Sequence, residues 1–266
     1  MPEIDAVLLV SLVAVAFAAG FVDSIAGGGG LLTLPALLIA GLTPAAAVAT
    51  NKVQSVFGTA AATWTMWRAG YVDLRRYWPA VVAAAIGSAI GALVVQAIDP
   101  SALAAIMPAV LVVVAVYFLL TRRLADHASE PRLGGRGFAL GPTPAIGFYD
   151  GVFGPGTGSF FMLACVSLLG LDARRATGTT KLLNFTTNAA AFVAFLLGGA
   201  MVWSIGLAMA AGQVVGAWLG AKAAIGHGAK LVRPLIVVMC VGMAIRLCWP
   251  ASHPIGGAVR ALLGIG

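Results

Sequence analysis

Four charged residues, Asp23, Lys52, Asp150 and Lys181, stand inside long apolar runs, whereas the other charged residues fall in short polar stretches or at the termini. Two carboxylates and two ammoniums so placed can bind a charged solute or neutralise one another. An Asp or Lys at the centre of a bilayer costs about 2.5–3.5 kcal/mol on insertion scales, so such groups face a protein interior and mark an ion or substrate path. Each lysine has polar neighbours: Thr50, Asn51 and Gln54 around Lys52, and Thr179, Thr180 and Asn184 around Lys181. Ammonium, hydroxyl and amide groups are rich in donors, and such a set favours an anion. Asp23 and Asp150 are read either as coupling groups or as structural counter-charges. In the structural alternative, each lysine pairs with the nearby aspartate and locks the fold.

The glycines beside these residues add a second source of donors. Gly27, Gly28, Gly29 and Gly30 precede the run Leu31 to Leu42, whose 12 residues make a helix of about 18 Å, too short for a hydrocarbon core of about 30 Å. That predicts a broken or re-entrant element, which is tolerated at membrane depth where protein or a water-filled cavity satisfies its backbone. A half-helix starting there points N–H groups and a positive dipole end at the site. Gly154, Gly156, Thr157 and Gly158 repeat the device. Gly87 with Gly91 and Gly212 with Gly216 and Gly220 have the spacing of close helix packing, and are expected to hold together either the two halves or the protomers of a homodimer.

The elements that must position these groups are apolar. Hydrophobic residues make up 61% of the 266 positions and charged residues 9%, with a mean hydropathy of +1.00; a soluble domain carries roughly 25% charged residues. Ten apolar segments can be drawn, at 5–26, 31–42, 44–67, 78–97, 101–121, 138–153, 157–169, 173–198, 202–222 and 230–249. The fold class is therefore an all-α, multi-pass integral membrane protein whose solvent is the lipid bilayer. The net charge of +7 lies in short loops, which argues against a nucleic-acid partner. Cys165, Cys240 and Cys248 lie in apolar segments without metal-ligand spacing, so no metal or disulfide framework is expected. The start has Glu3 and Asp5 instead of a basic leader, so its apolar run is read as a retained helix.

The second five segments echo the first. GFVDSIAGGGG from Gly20 matches GFYDGVFGPGT from Gly147, placing Asp23 over Asp150; ATNK ending at Lys52 matches GTTK ending at Lys181, an offset of 129 residues that also aligns Gly87 and Gly91 with Gly216 and Gly220. Lys and Arg collect at Arg68 to Arg76, Arg122 to Arg136, Arg174 and Arg175, and Lys222 to Arg233. With an outside N-terminus every one of these clusters is cytoplasmic, and the odd number of segments per half turns the second half over. The expected organisation is a first transmembrane repeat at 1–121, a cytoplasmic linker at 122–137 and a second, inverted repeat at 138–266. Paired inverted repeats around a midplane site are a common architecture of secondary transporters.

The blocks GFVDSIAGGGGLLTLPALLIAGLTPAAAVATNK and GFYDGVFGPGTGSFFMLACVSLLGLDARRATGTTKLLNF resemble the paired motifs of the TauE/SafE sulfite exporter family, also called TSUP, over nearly the whole chain. The resemblance implies a transporter of the prokaryotic inner membrane that exports sulfite, thiosulfate or organosulfonates. Sulfur comes from the resemblance alone, whereas the residues independently point to a small anionic substrate. No phosphate loop, HExxH or GxSxG motif occurs, and no enzyme activity or cofactor is expected. A passive anion channel remains the alternative, because channel and carrier share donors and lysines.

Overall fold

The structure is a computed structural model that describes residues 5–120 and 130–227. All regular elements among the described residues are helices: α1 (Ala6–Ala26), α2 (Gly30–Ile39), α3 (Pro44–Arg68), α4 (Leu74–Ala97), α5 (Pro100–Leu120), α6 (Gly135–Leu140), α7 (Pro142–Val152), α8 (Thr157–Ser167), α9 (Ala173–Gly198) and α10 (Trp203–His227). Four stretches, Ala6–Ile25, Leu74–Ala97, Ala173–Gly198 and Trp203–Gly226, are long and apolar enough to cross a membrane. α2 and α8, with 10 and 11 residues, reach only about 15–17 Å and cannot. The expected segment 230–249, with Cys240 and Cys248, lies outside the described residues, as does linker stretch 121–129.

Helix boundaries follow local chemistry. Thr43 caps α3 by accepting from Ala46 N–H at 3.4 Å, with Pro44 at the first helical position, where its missing donor costs nothing. Asp73 caps α4 through Arg76 N–H, and Asp172 caps α9 through the N–H groups of Arg174 and Arg175. Gly27, at φ 77°, ends α1 in the left-handed conformation. One boundary differs from the sequence expectation. The segment drawn at 138–153 is two helices, because Gly141 leaves helical geometry (φ −99°, ψ −95°) and Pro142 starts a new helix instead of continuing the old one.

The outer surface is apolar. Leu197 is 84% exposed and Val7 71%, with Ile86, Ile90, Leu93 and Val113 also turned outward. The Trp64 and Trp67 rings lie 5.0 Å apart, tilted by 53°, at the end of α3, and Arg68 lies over Trp64. Such amphipathic rings suit the boundary between lipid and water.

Glycines decide how the helices meet. A side chain at Gly212, Gly216 or Gly220 of α10 would strike the carbonyls of Val13, Phe17 and Phe21 of α1 in turn, so these two helices run parallel in close contact. Gly87 and Gly91 of α4 meet the carbonyls of Pro144 and Phe148, and Gly147 and Gly151 of α7 meet those of Ala84 and Ser88, in the same parallel sense. Of the two uses expected for these series, the contacts seen are within one chain and join its two halves. α10 also runs parallel to α3, with Gly206 on Val53 and Gln213 on Gly58, while Gly178 of α9 packs on the backbone of Tyr71. Arg132 N–H donates to Leu168 in the turn before α9. These contacts gather Arg68, Arg76, Arg132, Arg175 and Lys222 at one end of the bundle.

Candidate functional site

α3 and α9 bring their lysines to the centre, where both are fully buried. Lys52 Nζ lies 3.0 Å from Asp150 Oδ2, and Lys181 Nζ lies 3.1 Å from Asp23 Oδ2. The pairing is crossed: each lysine meets the aspartate of the other half, not the one nearer in sequence. Lys52 Nζ also donates to Asn188 Oδ1 at 3.3 Å, and Lys181 Nζ to the Asp23 carbonyl. Two positive and two negative charges form a neutral set. Removing one member would strand a buried charge, at a cost of about 3–5 kcal/mol.

The two glycine breaks meet each other. Gly27 and Gly158 are so close that a Cβ on Gly27 would lie 2.2 Å from the Gly158 carbonyl carbon. The Gly27 carbonyl accepts from the backbone N–H of Ser159 at 2.7 Å and from its hydroxyl at 2.5 Å. Gly29 N–H, at the start of α2, donates to Asp23 Oδ1 at 3.1 Å. The N-terminal donors at Gly29 and Ser159 are therefore engaged by groups of the protein itself. Gly28 is buried, and its carbonyl accepts from Leu31 N–H.

Against these breaks lies a polar cavity of about 20 Å³, room for one water-sized group. Both aspartates line it, with Gly30, Asn51, Gly154, Gly156, Thr157, Gly158 and Asn184. The lysine ammoniums sit behind the aspartates, outside its wall. Thr50 lies elsewhere, its hydroxyl accepting from Val202 N–H at 3.0 Å. Gln54 Nε2 donates to Asn51 Oδ1 at 2.9 Å and supports the wall from behind, as does the Thr33 hydroxyl at 2.6 Å. Thr180 turns toward the Met162 sulfur, and Thr179 lines a separate cavity beside Arg76 and Arg175.

Four lining residues were missed in the sequence: Ser55, Thr59, Asn188 and Gln213. A signal for three of them existed. The 129-residue offset that aligns the lysines also places Ser55 over Asn184 and Thr59 over Asn188, so each half carries a polar stripe of one residue every four along a helix. Asn188 Nδ2 donates to Asn184 Oδ1 at 3.1 Å, linking Lys52 to the cavity wall. Gln213 falls over Ala84 in that alignment, so the repeat carries no polar signal there; among the described residues its buried Oε1 has no hydrogen-bond partner.

The family model for the sulfite exporter TauE/SafE matches residues 12–247. The chain belongs to the TauE/SafE family. It is 46% identical to the "probable membrane transporter protein ORF9" of Sinorhizobium sp, over 93% of this chain and 95% of that protein. It is 43% identical to a "probable membrane transporter protein" of Haemophilus influenzae, over 91% of this chain and 95% of the relative. With the "probable membrane transporter protein YfcA" of Escherichia coli K12 it shares 42% identity, over 94% and 93%. No solved structure matches the chain. Family and helices agree: this TauE/SafE protein is a multi-pass membrane transporter. The breaks and both buried ion pairs fall within the span that the family model covers.

Proposed function

We propose that the protein is a secondary transporter that exports small sulfur-containing anions, such as sulfite, thiosulfate or organosulfonates, across a prokaryotic inner membrane. The observation that carries this is the crossed pair of buried Lys–Asp contacts around one polar cavity. Each contact ties one half of the chain to the other at a single point of charge. An anion that takes over an ammonium from its aspartate loosens that tie, and so couples binding to relative movement of the halves. The cavity holds one water-sized group, so a four-atom oxyanion enters only as the pairs part. A site of that size favours a carrier over a permanently open channel.

The repeats at 1–121 and 138–266 are the moving parts in this reading, with 122–137 as a cytoplasmic linker. The parallel packing of α1 on α10 and α4 on α7 supports an inverted relation, since each pair joins the first apolar segment of one half to the fourth of the other. The gathering of arginines at one end supports placing that end in the cytoplasm. A Glu130→Cys variant lacking the native cysteines is expected to react with a membrane-impermeant maleimide in inside-out vesicles and not in intact cells. Labelling in intact cells overturns the topology.

Transport itself is tested in proteoliposomes with radiolabelled sulfite. Unlabelled sulfite on the far side is expected to speed uptake severalfold, because a carrier returns faster when loaded; a channel shows no such acceleration. Purified protein is expected to be stabilised by sulfite or thiosulfate by about 2.7 kcal/mol at a hundred times the dissociation constant, a rise of several degrees in melting temperature. Equal stabilisation by acetate and other small carboxylates would remove the sulfur-anion assignment.

A further inference from the structure

At the basic end of the bundle lies a second cavity, of about 190 Å³, lined by Arg76, Arg175, Tyr71, Tyr77, Asp73 and Thr179. It stands between the α3–α4 turn and the first two turns of α9, and shares no lining residue with the central cavity. We propose that this cavity is a distinct binding site for a small oxyanion, held between the Arg76 and Arg175 guanidiniums with Thr179 and Tyr77 as hydroxyl partners.

The charges favour it. Two guanidiniums face one carboxylate, Asp73, which is engaged in capping α4 through Arg76 N–H at 3.0 Å. Among the described residues Arg76 has no ion-pair partner, and its guanidinium is held 5.7 Å over the Tyr77 ring. Arg175 has only a long contact to Asp172, 3.7 Å, and is largely exposed. A planar guanidinium presents paired donors that match two oxygens of an oxyanion. Thr179 and Tyr77 are nearly fully buried, so the floor of the cavity is preformed.

The chain supplies its own comparison. By the 129-residue offset, Thr179 corresponds to Thr50, Arg76 to Ile205, Tyr77 to Gly206 and Arg175 to Ala46. At that opposite end three of the four positions are closed: the Thr50 hydroxyl accepts from Val202 N–H at 3.0 Å, Ile205 is 1% exposed, and Gly206 packs on Val53. Corresponding positions are thus largely closed at one end and line a cationic cavity at the other. An anion leaving or entering through the basic end meets the arginines first. That role in the transport path rests on the proposed anion-transport reading; the site itself does not.

Phenylglyoxal modification of arginine, read by peptide mass spectrometry on the purified protein in uncharged detergent, tests the site without transport. Sulfate or thiosulfate at millimolar concentration is expected to slow modification of Arg76 and Arg175 about fivefold or more, leaving Arg75 and Arg174 unchanged. The Lys52→Met/Asp150→Leu variant is expected to keep this protection, which separates the cavity from the central pairs. Equal protection of all four arginines, protection of none, or loss of protection in that variant overturns the proposal. Repeating the measurement in nanodiscs with and without phosphatidylglycerol distinguishes the source of the oxyanion. Protection by the lipid alone, with none from sulfate, makes the ligand a headgroup and overturns a free-anion site.

Discussion

Replacing Lys52 by Met together with Asp150 by Leu is expected to leave a folded protein whose anion transport falls at least about a hundredfold, while either single change to alanine mainly costs folded protein. The asymmetry follows from burial. Lys52 and Asp150 are shielded from solvent and lie 3.0 Å apart. Deleting one strands the other, at about 3–5 kcal/mol, whereas replacing both with apolar groups of similar volume removes the desolvation penalty of both charges. Stability alone therefore cannot explain a loss in the double variant. Lys181→Met with Asp23→Leu should transport as poorly but fold less well, because Asp23 Oδ1 also accepts from Gly29 N–H at the start of α2. Size-exclusion chromatography measures the folded fraction, and labelled uptake per folded molecule measures function. Normal uptake by both double variants would leave the lysines as structural counter-charges and end their assignment to the anion.

Gly27→Ala should abolish folded protein, and Gly156→Ala should fold yet lose transport. Both glycines have positive φ, 77° and 80°, which costs a residue with a Cβ about 1–2 kcal/mol. At Gly27 the new methyl would also lie 2.2 Å from the Gly158 carbonyl carbon, backbone against backbone, where neither chain can yield. Gly158→Ala meets the same obstacle from the other side, 2.6 Å from Gly27 Cα. Gly156 instead lines the central cavity, so a change there is expected to act through the cavity. Gly70→Ala is the control: φ is 80° but nothing lies within 4 Å of its Cβ position, so only conformational strain remains. Thermal denaturation of each variant and uptake per folded molecule separate the three cases. A Gly27→Ala protein of ordinary stability would show that the two breaks do not pack as described, and normal uptake by Gly156→Ala would remove the cavity from the transport path.

These contrasts also show where local chemistry ends. The bilayer class and the short helices after Gly27–Gly30 and Gly154–Gly158 were legible residue by residue, because each depends on composition or on backbone rules that reach only a turn along the chain. The repeated motifs placed the chain near the TauE/SafE family for the same reason. The break at Gly141–Pro142 was also local, yet it was hidden inside a continuous apolar run.

Partner choice was not legible. Spacing offered each lysine an aspartate in its own half, and the fold gave it the one in the other. That exchange depends on α1 lying along α10 and α4 along α7, which is set by glycine faces meeting carbonyls far away in sequence. The same packing put both aspartates on the cavity wall with the ammoniums behind them, turned Thr50 and Thr179 out of the centre, and brought in Gln213. Identical offsets could not reveal that Thr50 is bonded to Val202 N–H while Thr179 lines a cavity, since the difference lies in neighbours contributed by other helices. Sequence by itself determined which groups are buried in a membrane and where the two short helices begin; the tertiary structure decided which of those groups face each other, because in a medium without water a buried charge is satisfied only by what packing places beside it.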